Sequence, residues 1–254
     1  MLPIGDDNSD RHLTPIVTYI LILINIIIFV FAQDLGRNIH FTFAYATVPA
    51  EILTGGDIIT QPTLIQDPLT GQTLEMPGLQ HTPINVYLTL LTSLFMHGGI
   101  AHIAGNMLYL WVFGDNLENL MGHFNYLLFY LICGVIASLV HVFTSAYLSQ
   151  SMLIPSLGAS GAISGVLGGY MILFPLRRVY MWFFLFTLAV PAFVALGVWI
   201  VFQVINGMGA LGGEEAAGGV AYAAHIGGFV AGIFLVRRFL NRSLVLKQKR
   251  KTVW

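Results

Sequence analysis

The serine of Gly158-Ala-Ser160-Gly161, the histidine of Ala224-His225-Ile-Gly227-Gly228 and the pair His102-x-x-x-Asn106 are polar side chains set in otherwise apolar runs. A serine hydroxyl is a poor nucleophile until a base takes its proton, and an imidazole within hydrogen-bond reach is the usual base. Ser160 and His225 therefore suit acyl transfer. Positions i and i+4 share a helix face, so His102 and Asn106 can both donate to an oxyanion, an effect typically worth about 3–4 kcal/mol per donor. The Ser160 backbone N–H, freed near a helix N-terminus, would join them. A carboxylate to orient the histidine is missing from this group. Asp115 and Glu118 fall at the far end of the second apolar run, and Glu214 and Glu215 in the connection before the last one. The pattern predicts a serine–histidine dyad without a buried acid. The G-x-S-x-G elbow of soluble hydrolases is not matched, because Ala162 holds its fifth position and no βα alternation surrounds it.

The elements that must position these groups are membrane helices. The chain is 56% hydrophobic and only 9% charged, with a mean hydropathy of +0.78, whereas a soluble domain has about 25% charged residues. A net charge of −1 gives no reason to expect a nucleic-acid partner, and one cysteine, Cys133, excludes an intrachain disulfide or a cysteine-based metal site. Met1–Leu13 lacks the basic start and small-residue cleavage site of a signal peptide, so the first apolar segment is expected to be retained. About 20 apolar residues cross a bilayer as a helix. Thr14–Ala32, Ile100–Leu117, Phe124–Tyr147, Leu157–Phe174, Val179–Ile205 and Gly219–Leu235 qualify. Ile84–Met96 is too short to cross and is expected to be a partly embedded or interfacial helix.

The reading is thus an all-α polytopic membrane protein of six transmembrane helices. Residues 1–13 form a short tail, 14–238 the membrane domain and 239–254 a basic tail. A long outer loop, 33–99, lies between the first two spans, and its Gln33–Thr82 part is polar and rich in turn residues. Arg177-Arg178 and the basic run from Arg237 to Lys251 mark the cytoplasmic side, which places both termini inside. Spans two, four and six then run inward, and His102, Asn106, Ser160 and His225 all fall in the outer half of the membrane. Ionisable groups at such depth face a bundle interior or a water-filled cavity. Gly161-x-x-x-Gly165-x-x-x-Gly169 and Gly228-x-x-x-Gly232 present small faces that let two helices approach closely, which would bring Ser160 to His225. The Gly-rich connection Asn206–Gly218, with spans five and six, is the candidate gate. A lone transmembrane serine is ordinarily a packing residue; the histidine and oxyanion pair at matching depth favour chemistry here. Metal ligation by His97, His102 and His225 is disfavoured because no carboxylate or thiol accompanies them. No cofactor is expected.

These residues resemble the rhomboid family of intramembrane serine proteases over essentially the whole membrane core. The resemblance rests on His97, His102-Ile-Ala-Gly-Asn106, Gly114 to Gly122 with Glu118, Gly158-Ala-Ser160-Gly161 and Ala224-His225-Ile-Gly227-Gly228. It implies a six-helix rhomboid core, Ser160 as nucleophile, His225 as base, His102 and Asn106 at the oxyanion, and Gly158 and Gly161 in support. It further implies that His97 helps to hold water and that the partners are transmembrane-protein substrates in a lipid bilayer. The Phe174-Pro175 stop and Arg177-Arg178 are similar to a prokaryotic branch, which implies a multi-pass protein of the cell membrane. Ser164 stands where some members carry an aromatic ring against the histidine, and the outer loop lacks the Trp-Arg pair of several others. A non-catalytic rhomboid-like protein binding transmembrane clients is the alternative, and a transporter with a midplane polar site is a further one.

Overall fold

The computed structural model describes residues 2–66, 73–148, 152–211 and 222–251. It is mostly helical. The helices that carry the core are α1 (Ile16–Ile27, continued by a wide turn over Ile28–Ala32), α5 (Ile100–Met121), α6 (His123–Tyr147), α7 (Ser160–Leu173), α8 (Ala192–Leu211) and α9 (Tyr222–Leu235). Short helices α2 (Ile39–Ala44), α3 (Pro49–Thr54) and α4 (Thr89–Thr92) lie between α1 and α5, and α10 (Arg242–Lys251) follows α9. Two small antiparallel sheets accompany them, so the all-α expectation is corrected: β1 (Leu2–Asp6), β4 (Arg178–Phe183) and β5 (Phe186–Pro191) form one in the order β1-β4-β5, and β2 (Thr63–Gln66) with β3 (Thr73–Met76) the other.

By length and composition α6 alone among the described helices is long and apolar enough to cross a membrane, and up to three spans result if each sharply bent helix pair is one span. One such pair is Val86–Phe95 with α5, which meet at 81°. That bend corresponds to the Gly98-Gly99 break, and Ile84–Met96 is helical in short turns as expected. α7 is only 14 residues long, roughly 21 Å at 1.5 Å per residue. It starts at Ser160 rather than Leu157.

The largest departure concerns Val179–Ile205. This run was expected to be one span, but its first part folds as the β4–β5 hairpin and the helix begins only at Ala192. A continuous apolar run does not by itself distinguish strand from buried helix. Here Val179 and Met181 alternate into the core while Tyr180 and Trp182 point outward, the period of two that a strand requires. The N-terminal tail is also structured, since β1 pairs with β4 in register Leu2↔Trp182 to Asp6↔Val179. The outer connection, expected as loop, contains α2, α3 and the β2–β3 hairpin. The expected gate loop falls largely on residues 212–221, with Glu214 and Glu215, which lie outside the described residues.

A polar seam binds the ends of the core helices on the β1 side. Glu118 of α5 accepts from the Val17 and Thr18 N–H groups (both 2.8 Å) and the Thr18 hydroxyl (2.7 Å), capping the first turn of α1 from another helix. His123 Nδ1 meets the same carboxylate at 2.6 Å. Arg177 pairs with Asp10 and packs 4.1 Å from the Phe174 ring centre. Asp6 accepts from the Tyr170 hydroxyl and, at 2.8 Å, from Asn116 Nδ2. Burial pushes the Asp6 carboxyl up to about 7, against the lowering effect of the Tyr170 hydrogen bond, from an ordinary 3.8. Between those two values the folded protein holds a proton that the unfolded chain releases, so this contribution to stability is full at low pH and is lost as pH rises through about 7. Asp6→Asn is therefore expected to become more stable relative to wild type as pH is raised from 5 to 8. Melting temperatures across that range in detergent check this; parallel curves for the two proteins would contradict it.

Candidate active site

Ser160 is the first residue of α7, so its N–H lacks an acceptor within that helix. The chain reaches it through Gly158, whose φ of +121° is strained for any side chain. Gly158 is held by its N–H to the Ser93 carbonyl at 2.9 Å. A Cβ added there would stand 2.9 Å from both Cε1 and Nε2 of His102. Glycine at 158 thus does two things: it permits the turn, and it lets the His102 ring lie against the start of α7.

Nε2 of His225 and Oγ of Ser160 are 2.8 Å apart. The approach of α7 to α9 explains that distance. A Cβ at Gly228 would overlap the Gly161 carbonyl oxygen, one at Gly232 that of Gly165, and one at Gly168 that of Phe229. The two helices are therefore in backbone contact. Gly169, grouped with this face in the sequence, turns instead toward Val236, Leu117 and Phe129. Gly161 also faces α6, 2.7 Å from its would-be Cβ to that of Ala137, so it belongs to the packing seam rather than to the cavity.

His102 Nδ1 accepts the Gly98 N–H at 3.3 Å, which leaves the ring proton on Nε2. Asn106 is 8% exposed and its Nδ2 has no acceptor among the described residues. Both donors and both dyad residues line one cavity of about 960 Å³, together with His97 and Trp199. His97 is fully buried, and its ring meets that of His102 edge-on at 5.1 Å. The backbone of His97 is clamped at both polar atoms by the Gln33 side chain, N–H to Oε1 at 3.0 Å and Nε2 to the carbonyl at 2.8 Å. Gln33 thus fixes the corner ahead of α5. Ser164 turns back on its own helix, donating to the Ser160 carbonyl at 2.6 Å.

Two residues that the sequence did not single out approach His225 from α8. The Gln203 Oε1 accepts from His225 Nδ1 at 2.7 Å, and the Trp199 ring lies 6.0 Å from the imidazole, tilted by 38°. They are spaced i and i+4 and so share a helix face. The signal was present: a glutamine near the C-terminal end of an apolar run, one turn from a tryptophan.

A serine and a histidine in hydrogen-bond contact thus share one cavity with His102 and Asn106 in a mostly helical, apolar bundle. Residues 85–242 match the rhomboid domain, and the chain belongs to the rhomboid family. It is therefore a membrane protein. Rhomboid protein 1, mitochondrial, of Saccharomyces cerevisiae is 31% identical over 173 residues, covering 68% of this chain and 47% of that protein. Rhomboid protease GluP of Bacillus subtilis is 36% identical over 145 residues, covering 57% and 24%. The human presenilin-associated rhomboid-like protein, mitochondrial, is 30% identical over 177 residues, covering 63% and 43%. The chain spans about half or less of the length of these relatives.

Proposed function

We propose that this chain is a serine endopeptidase acting inside the membrane on transmembrane-protein substrates. The observation that carries the reading is the 2.8 Å contact between Ser160 Oγ and His225 Nε2 at a cavity shared with His102 and Asn106. Ser160 Oγ attacks the scissile carbonyl carbon as its proton passes to His225 Nε2. The oxyanion that forms takes hydrogen bonds from His102 Nε2, Asn106 Nδ2 and the Ser160 N–H. His225 returns the proton to the leaving amine nitrogen as the C–N bond breaks, which leaves an ester on Ser160. Water then attacks the ester, again through His225, and frees the carboxylate product and the hydroxyl. His97 lines the same cavity and is placed to hold that water.

The topology proposed with this is six spans, α1 and α5 to α9, with both termini on the inner side. The basic residues after α9 and at Arg178 support it. The relatives include mitochondrial proteins as well as one from Bacillus subtilis. They lend no support to a prokaryotic cell membrane over an organellar one, and the placement is kept at a membrane. An intact Ser–His contact weighs against a purely client-binding protein.

The test is covalent labelling of the full chain in detergent micelles with a fluorophosphonate, which reacts only with an activated serine. Wild type is expected to label at Ser160, located by peptide mass. A wild-type protein that stays unlabelled, or labels elsewhere, would overturn the reading.

A further inference from the structure

A dyad histidine needs one proton on Nδ1 and none on Nε2 if it is to accept from serine, and nothing in a two-residue site dictates that choice. In soluble triads a carboxylate makes it. Here the partner of Nδ1 is the Gln203 carbonyl oxygen at 2.7 Å, which can only accept. That contact places the ring proton on Nδ1 and leaves the Nε2 lone pair for the Ser160 hydroxyl. Trp199, one turn earlier on α8, covers the ring from the same side. The aromatic position filled by Ser164 plays no such part, since Ser164 bonds the Ser160 carbonyl. The hold on the histidine has moved from the serine helix to α8.

We infer that Gln203 is the positioning residue of His225, selecting its tautomer and orientation through Oε1 and completing a Ser160–His225–Gln203 relay in which the third member is neutral. The inference rests on the dyad reading above. When His225 takes the Ser160 proton, the Gln203 carbonyl dipole stabilises the cation but supplies no counter-charge. The relay is also carried by three separate helices, α7, α9 and α8. Most of the other face of α8 is open, with Phe193, Val201, Phe202 and Ile205 exposed.

Gln203→Leu keeps much of the volume and removes the acceptor; Gln203→Glu keeps the acceptor and adds charge. The probe is the fluorophosphonate, and the readout is its second-order labelling rate of the full chain from pH 5 to 9. Gln203→Leu is expected to label about 10- to 100-fold more slowly at pH 7.5, the scale of one hydrogen bond to a cation. Gln203→Glu is expected to restore the rate and to move the acid limb of its pH profile upward by about one unit, because a nearby carboxylate favours the protonated ring. Wild-type rate and profile in Gln203→Leu would overturn the inference and leave the dyad standing. A slow Gln203→Leu with a Gln203→Glu profile that is unmoved would also overturn it, assigning Gln203 to packing alone. An unlabelled wild type would take both readings down together.

Discussion

Ser160→Ala and His225→Ala are each expected to lower cleavage of a membrane-reconstituted test substrate by about 10⁴- to 10⁶-fold, with the double variant no slower than either single one. The geometry gives the reason. Ser160 Oγ has one base, at 2.8 Å, among the described residues, and His225 Nε2 meets that hydroxyl, so each residue without the other has no productive act to perform. Residues that work as a unit are non-additive when removed. The oxyanion donors survive in all three variants, and the residual rate is theirs. Because neither side chain is needed to admit the substrate, kcat is expected to fall while KM stays within a few-fold. A single-span peptide with a Gly/Ala-rich segment near its outer end, co-reconstituted in liposomes and assayed by gel, measures this. If the double variant lost the product of the two single losses, or a single variant kept a tenth of the activity, the concerted dyad would be wrong.

Gly232→Val is expected to lower the stability of the folded bundle by about 3 kcal/mol or more and to abolish labelling of Ser160. Its Cβ would sit on the Gly165 carbonyl oxygen, a backbone atom that cannot rotate away. The two helices would have to part, and the Ser160–His225 contact with them. Gly197 on α8 supplies the control, since a Cβ there meets nothing within 4 Å. Gly197→Ala should melt at the wild-type temperature or slightly above it, because alanine gains up to about 1 kcal/mol over glycine in a helix. Thermal melts by circular dichroism in detergent compare the three proteins. A Gly232→Val protein as stable as wild type would mean that α7 and α9 do not touch through their backbones.

The candidate chemistry was readable in the sequence because a polar side chain in an apolar run is conspicuous. Ser160, His225, His102 and Asn106 could be placed at one level from span order alone, and the structure gathers them at one cavity. Gln203 was as conspicuous by type, but its partner His225 is 22 residues away on another helix. Nothing in the spacing says which face of α8 turns inward. The β4–β5 hairpin was hidden for a different reason: a run that is apolar throughout carries no contrast between faces, and only its packing shows that Val179 and Met181 alternate. The seam around Asp6, Asp10 and Arg177 depends on contacts up to 238 residues apart. Of those acids only Asp6 lies on β1, and Leu2–Asp6 is too short to carry a hydrophobic pattern that would mark a strand.

The glycine contact between α7 and α9 has one more consequence. Where side chains fill the gap between two helices, a change of one methyl group resets the spacing, and selection or design can adjust it in small steps. Backbone pressed on backbone leaves no such screw to turn. The reach from Ser160 to His225 is set by the radii of a carbonyl oxygen and an α-carbon, the same in every variant that keeps Gly228 and Gly232. On the side of the imidazole away from Ser160, by contrast, α8 approaches through a glutamine and a tryptophan, ordinary side chains that can be exchanged one at a time.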